Sequence, residues 1–239
     1  MAKDVADQIR KQKLVTKAKK KGDELNGHLI VDLSGLDQLA TDIEPQLSAT
    51  FATAGRDAYA AVGGPSSSDI VNLVNGRANA YAKERGAELV GKKWVDGKLV
   101  DNPNAQWNID ETTRDMLNRT ITQAIDEGWG INKLADFIQD GPNSTDEMFA
   151  FSDYRARMIA RTETIDAHNA GVLGGFKEAK DAGVNVQKEW WPDAEACEIC
   201  LENADAGPIE LDDVFPSGDD APTAHPGCEC TIVPVVLGE

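Results

Sequence analysis

Four cysteines and one histidine near the C-terminal end are the residues of this chain best suited to chemistry. Cys197 and Cys200 form a C-x-x-C pair, and His225, Cys228 and Cys230 form H-x-x-C-x-C; the chain has no other cysteine. A C-x-x-C turn aims two thiolates at one point, and the second motif supplies the remaining donors. Zinc takes four N/S ligands in a tetrahedron and tolerates long loops between ligand pairs. Five candidates compete for four places. The spacing favours Cys197, Cys200 and Cys230 with either His225 or Cys228. A shell filled by protein is structural, and it would staple a module of small apolar content. The alternatives are disulfides or free thiols packed without metal. A catalytic metal finds less support: there is no H-x-E with P-C-x-x-C, no H-E-x-x-H, no G-x-S-x-G and no phosphate-binding glycine loop.

Just upstream lies Arg155-Ala156-Arg157-Met158-Ile159-Ala160-Arg161-Thr162-Glu163-Thr164, continuing through Ala167-His168-Asn169-Ala170-Gly171. On a helix, Arg157, Arg161 and His168 share one side, and Ile159, Thr162, Asp166 and Asn169 form another stripe. Ala160, Thr164, Ala167, Gly171 and Gly174 make a strip of small residues, on which the sheet or the Cys/His knuckle is expected to rest. Arg161, Glu163 and Asn169 then read as a structural network, with Arg161 and Glu163 bonding loops of the knuckle. The alternative is a catalytic Glu–His pair.

These residues need elements to position them. Residues 1–27 are polar and rich in lysine and are expected to be a flexible basic arm, and a short apolar run, His28-Leu29-Ile30-Val31, follows before Ser34. Leu36, Leu39, Ile43, Leu47, Phe51, Ala54 and Ala58 recur at three and four, which predicts a helix interrupted at Pro45. A second helix follows Ser67 or Ser68, with Ile70, Val71, Val74, Ala78, Tyr81, Ala82, Leu89 and Val90 inward. Asp96-Gly97 between apolar residues predicts a hairpin. Residues 28–103 are read as a helical hairpin docking region, with a boundary near residue 103. Then come a helix from about 110 to 127, a shorter one from 131 to 139, and a long one from about 144 to 182. From Val184 the period changes to that of strands, around Trp190-Trp191, Ile209–Leu211 and Thr231–Val236, with Pro234 marking an edge. The fold class is α+β: a mostly helical N-terminal part, then a long helix packed on a small sheet with a Cys/His knuckle.

Composition bounds the function. The chain is 41% hydrophobic and 27% charged, with a net charge of −17. Residues 1–21 hold eight Lys/Arg against Asp4 and Asp7, leaving 16 Lys/Arg against 39 Asp/Glu elsewhere. Such a body repels nucleic-acid phosphates, and only the basic arm is suited to touch DNA or an acidic protein surface. No apolar run is long enough for a membrane span, and the charged N-terminus lacks a secretory signal. A reducing cytosol, where clustered cysteines are usually metal ligands, is the expected starting compartment.

Taken together, R-A-x-x-I-A-R-T-E-T-x-x-A-x-N-x-G from Arg155 to Gly171, a Trp before C-x-x-C, a Gly-Pro-Ile segment and the final H-P-x-C-x-C resemble the phage Mu F-like minor head protein family. The residues that carry it run from Arg155 through Arg161, Glu163, Asn169 and Gly171 to Trp190 or Trp191, Cys197, Cys200, His225, Pro226, Cys228 and Cys230. Trp107 and the Gly128-Trp129 turn look like the helical lead-in usual in the family, so the resemblance covers about 105–236, within a domain drawn as 104–239. It implies a minor capsid protein of a tailed phage, acting in head morphogenesis and in DNA packaging or ejection, with no enzymatic activity. Implied partners are the portal protein, the major capsid or scaffolding protein, and phage DNA through the basic arm. The implied location is the virion interior, with the host cytoplasm during assembly. Rival readings are a phage-derived effector or toxin-carrier module and a metal-dependent hydrolase using Glu163. Two departures stand out. Ala221-Pro222-Thr223-Ala224 precedes His225 where Pro-Pro-x is usual, and Glu229 lies between the last cysteines where Arg is usual.

Overall fold

The structure, a computed structural model, describes residues 2–11, 37–65, 68–106, 108–127, 133, 136–138 and 153–238. Its helices are α1 (Ala2–Lys11), α2 (Asp37–Asp42), α3 (Glu44–Ala61), α4 (Ser68–Leu89), α5 (Ile109–Asp126), α6 (Asp153–Asp181) and α7 (Glu198–Asp205). The strands are β1 (Lys92–Val95), β2 (Lys98–Asp101), β3 (Val186–Trp191) and β4 (Thr231–Val236). They pair as two antiparallel hairpin-like sheets, β1 with β2 and β3 with β4. The α+β reading holds: helices come first, and a long helix then packs on a small sheet carrying the Cys/His cluster.

Local sequence explains the boundaries. Pro45 lies in the first turn of α3, where its missing N–H costs nothing, and α2 ends just before it at Asp42. Asp96 and Gly97 both have positive φ, 49° and 75°, as a two-residue hairpin turn requires. Pro234 lies on β4, which among the described residues pairs only with β3, while Ile209 bridges to Lys188 on the other side of β3. The expected edge position for Pro234 is therefore the observed one. The Ser34 cap, Trp107, the Gly128-Trp129 turn and the start of the long helix at 144–152 lie outside the described residues.

The main core runs straight through the boundary drawn near residue 103. Ala54, Ala58, Tyr59 and Val62 from the α3 end pack with Val172, Leu173 and Phe176 of α6. The same cluster continues into Trp190, Phe215, Cys200, Cys228, Cys230 and Ile232. The C-terminal end of α3 thus lends a wall to the core of the C-terminal module.

Helix α6 meets α3 backbone to backbone. A methyl group on Gly171 would overlap the Phe51 carbonyl, and one on Gly175 would overlap the Gly55 carbonyl. The strip from Ala167 through Gly171 to Gly174 is therefore the seat of α3, not of the sheet or the knuckle, while Ala160 and Thr164 are exposed. A glycine strip announces that some backbone comes close without naming which one.

A second core corrects the reading of the N-terminal arm. Residues 2–11 are helix α1, and Val5 and Ala6 are buried with Ala40, Leu89, Val90, Ile109 and Leu117. The lysines that follow, from Lys11 to Lys21, gave the whole arm a polar composition and hid this short apolar face. Val71, expected inside, is instead exposed on α4, as is Leu73.

Candidate metal centre

The knuckle is built on a helix N-terminus. Cys197 occupies the N-cap of α7 with extended backbone (φ −74°, ψ 172°), and Cys200 is buried in the first turn. C-x-x-C spacing serves a knuckle and a helix start equally well, so this detail was not readable beforehand. The second arm is a turn closed by the Cys228 N–H donating to the His225 carbonyl at 3.1 Å, with Gly227 at φ 79°. Only glycine takes that conformation readily.

Two triplets converge: Cys197, Cys200 and His225, and Cys200, Cys228 and Cys230. Cys200 belongs to both. His225 Nε2 lies 3.2 Å from Cys197 Sγ and 3.5 Å from Cys200 Sγ, and Cys200 Sγ lies 3.7 Å from Cys228 Sγ. Ligand bonds of about 2.3 Å to sulfur and 2.0 Å to nitrogen give tetrahedral edges of roughly 3.5–3.8 Å, so these separations suit a metal of zinc's size. His225 Nδ1 lies 3.1 Å from the Pro226 carbonyl. A proton held there leaves the Nε2 lone pair facing the thiols. All four cysteines are free thiols. The Cys197 thiol is pulled below its ordinary range by the backbone N–H of Cys200, as expected at a helix N-terminus. Burial pushes Cys200 and Cys228 up. The group can bind a metal ion, which would hold these thiols as thiolates.

Helix α6 holds this turn through polar contacts on the face away from its glycines. Thr162 Oγ1 accepts the Gly227 N–H at 2.8 Å while donating to the Met158 carbonyl. Asn169 is fully buried and makes the densest set of contacts. Its Nδ2 donates to the Cys230 carbonyl at 3.1 Å, and its Oδ1 accepts from Thr231 Oγ1 and from the Ile232 N–H. Arg161 pairs with Glu229, so the acid between the last two cysteines meets a cation within the chain.

Glu163 faces elsewhere. Both its oxygens accept from the Arg85 guanidinium of α4, each at 2.8 Å, and Asp166 accepts from Tyr81 at 2.5 Å. Burial raises the Glu163 carboxyl above its ordinary range, opposed by Arg85. The guanidinium stays charged, because its carboxylate neighbours outweigh the desolvation that would lower it. The expectation that Glu163 bonds the knuckle is thus corrected: it ties α6 to α4, not to His168 or the thiols. Nothing in local spacing could show this, since Arg85 lies 78 residues away.

Lys188 was also missed, although its signal was present. It alternates with Val186 and Trp190 on β3, and so must point inward. It is fully buried, and its Nζ donates to the Leu211 and Asp220 carbonyls at 3.0 and 2.8 Å. Burial lowers its pKa.

A long helix, a two-stranded sheet and a Cys/His cluster closed by backbone clasps define a small architectural module. Residues 115–233 match the family model described as Phage Mu protein F like protein, and the chain belongs to that family. The family is one of structural phage proteins acting in head morphogenesis, which implies a place in the virion among other head proteins. No curated protein and no solved structure gave a match. Among the described residues no helix is long and apolar enough to cross a membrane.

Proposed function

We propose that this protein is a non-enzymatic minor head protein that associates with the portal and assists DNA packaging or ejection. The observation that carries the reading is the wiring of α6. Glu163, the helix carboxylate weighed for general acid–base work, is clamped by Arg85, while Thr162 and Asn169 bind backbone of the Cys/His turn. Buried partners of this kind favour architecture over catalysis. Zinc is the proposed ion, held by Cys200 together with three of Cys197, His225, Cys228 and Cys230. With four protein ligands it would staple the fold and leave no place for substrate.

The DNA contact is assigned to Lys13, Lys17, Lys19, Lys20 and Lys21, because α1 ends at Lys11 and its Val5 and Ala6 serve the core. Replacing these five lysines with glutamine leaves α1 intact, and should weaken DNA retention in a salt-dependent way. Unchanged retention would remove the assignment. The central experiment is co-sedimentation of the purified chain with the portal protein of the same phage, beside elemental analysis. Binding with about one zinc per chain supports the reading. A soluble chain that ignores the portal defeats the docking role, and absence of zinc with unreactive, disulfide-paired thiols defeats the staple.

A further inference from the structure

The chain carries two exposed faces of opposite charge, each with exposed apolar residues beside the charges. The first is the outer face of the β1–β2 hairpin. Its cross-strand pairs are Lys93 with Val100 and Val95 with Lys98. Val95 and Val100 are 44% and 38% exposed, and among the described residues neither lysine has an ion-pair partner. The hairpin is firmly seated through its other face. The Trp94 indole donates to the Lys83 carbonyl at 3.1 Å, and the Lys83 ammonium lies 4.4 Å over the Trp94 ring. Lys92 and Asp101 pair on that inner side. A rigid two-stranded platform with a free cationic and β-branched face is therefore available on a body whose net charge is −17.

The second face spans residues 191–205, which contain five carboxylates and no Lys or Arg. All five are exposed. Within this acidic field Trp191, Ile199 and Leu201 are 59%, 48% and 49% exposed. On α7 the exposed Glu202 and Asp205 lie between Leu201 and Ile199, an acidic strip with an apolar residue at each edge, and acidic strips of this kind pair with basic ones. The two faces are complementary in charge, and both are free on the same chain.

We infer that the β1–β2 hairpin of one copy docks on the α7 face of a second copy, head to tail. Unlike surfaces meeting in this way form a heterologous contact, which closes into a ring or continues as a chain of copies. Lys93 and Lys98 meet Glu202 and Asp205 of the next copy, and the valines pack along the helix beside that acidic strip. Long-range repulsion between two acidic bodies opposes the contact at low salt. At physiological salt the screening length is about 8 Å, so that repulsion is damped while charges in direct contact still attract. The inference stands apart from portal docking and from zinc.

Sedimentation velocity of the full chain from 1 to 100 µM in 150 mM salt tests it. The native chain should associate with rising concentration. K93E/K98E and E202K/D205K should each weaken association at least tenfold, with circular dichroism confirming that each variant is folded. Mixing the two variants should restore association, since the acidic hairpin now meets a basic α7. A native chain that stays monomeric at 100 µM overturns the inference. So does association that survives either charge reversal, or a mixture that fails to complement.

Discussion

Helix α6 meets two of its neighbours by opposite means. Toward α3 it offers Gly171 and Gly175, and the two backbones touch with no side chain between them. Toward the Cys/His turn it offers Thr162 and Asn169, whose side chains reach out and bond particular backbone groups. The first contact is steric and has no tolerance for added volume. The second is directional, and it weakens by degrees as bonds are removed. One helix thus joins a fitted wall to a polar clasp, and the two should fail differently.

The largest effect should come from taking the metal away. Chelation, or Cys200→Ser, which breaks both triplets at once, should markedly reduce the near-ultraviolet signal of Trp190, which packs in one cluster with Cys200, Cys228 and Cys230. Far-ultraviolet helicity from α3, α4 and α6 should largely remain. Cys197→Ser, His225→Ala, Cys228→Ser and Cys230→Ser should each cost less than Cys200→Ser, and the mildest of these four identifies the spare donor. Equal losses for all five would refute the hub position of Cys200.

Arg85→Ala should be next, destabilising by about 3–5 kcal/mol, because it strands the buried Glu163 carboxylate. The double replacement R85M/E163L should recover most of that loss in urea melts, whereas no recovery would show that the pair has a further role. Gly171→Ala should follow at about 3 kcal/mol, the upper part of the range for overpacking, since the Phe51 carbonyl is backbone and cannot swing aside. Asn169→Ala should cost about 2 kcal/mol, leaving the Ile232 N–H unsatisfied. Its thermal midpoint should fall less than that of Gly171→Ala, and the reverse order would overturn the contrast between wall and clasp. Glu229→Arg should be smallest, within about 1 kcal/mol, because the Arg161 pair is exposed to solvent.

Much of the frame was legible in advance. The apolar spacing of α3 and α5, the break at Pro45, the Asp96-Gly97 turn and the edge strand at Pro234 all follow from local chemistry. The five metal-type donors were legible because cysteine used nowhere else signals a shared purpose. What stayed hidden was pairing across distance. Gly171 and Gly174 announced a close approach but not that Phe51 would supply it, and Gly175, against Gly55, stood outside the expected strip. Glu163 showed a buried-type acid in a helix, while its partner lay on α4. Val5 and Ala6 were masked by the lysines that follow them, since net composition averages over the whole arm.

Lys188 gives the module a property that the thiols cannot. Its ammonium gathers the Leu211 and Asp220 carbonyls as a bound cation would, but it is carried on β3 by covalent bonds and cannot be extracted. The segment from 209 to 220 therefore stays hooked when the Cys/His side opens. The module has a detachable fastener and a permanent one, and its loss of structure should proceed from one side only. In hydrogen exchange after chelation, amides around 225–230 should lose protection while Ile209, whose N–H donates to the Lys188 carbonyl at 2.8 Å, keeps it.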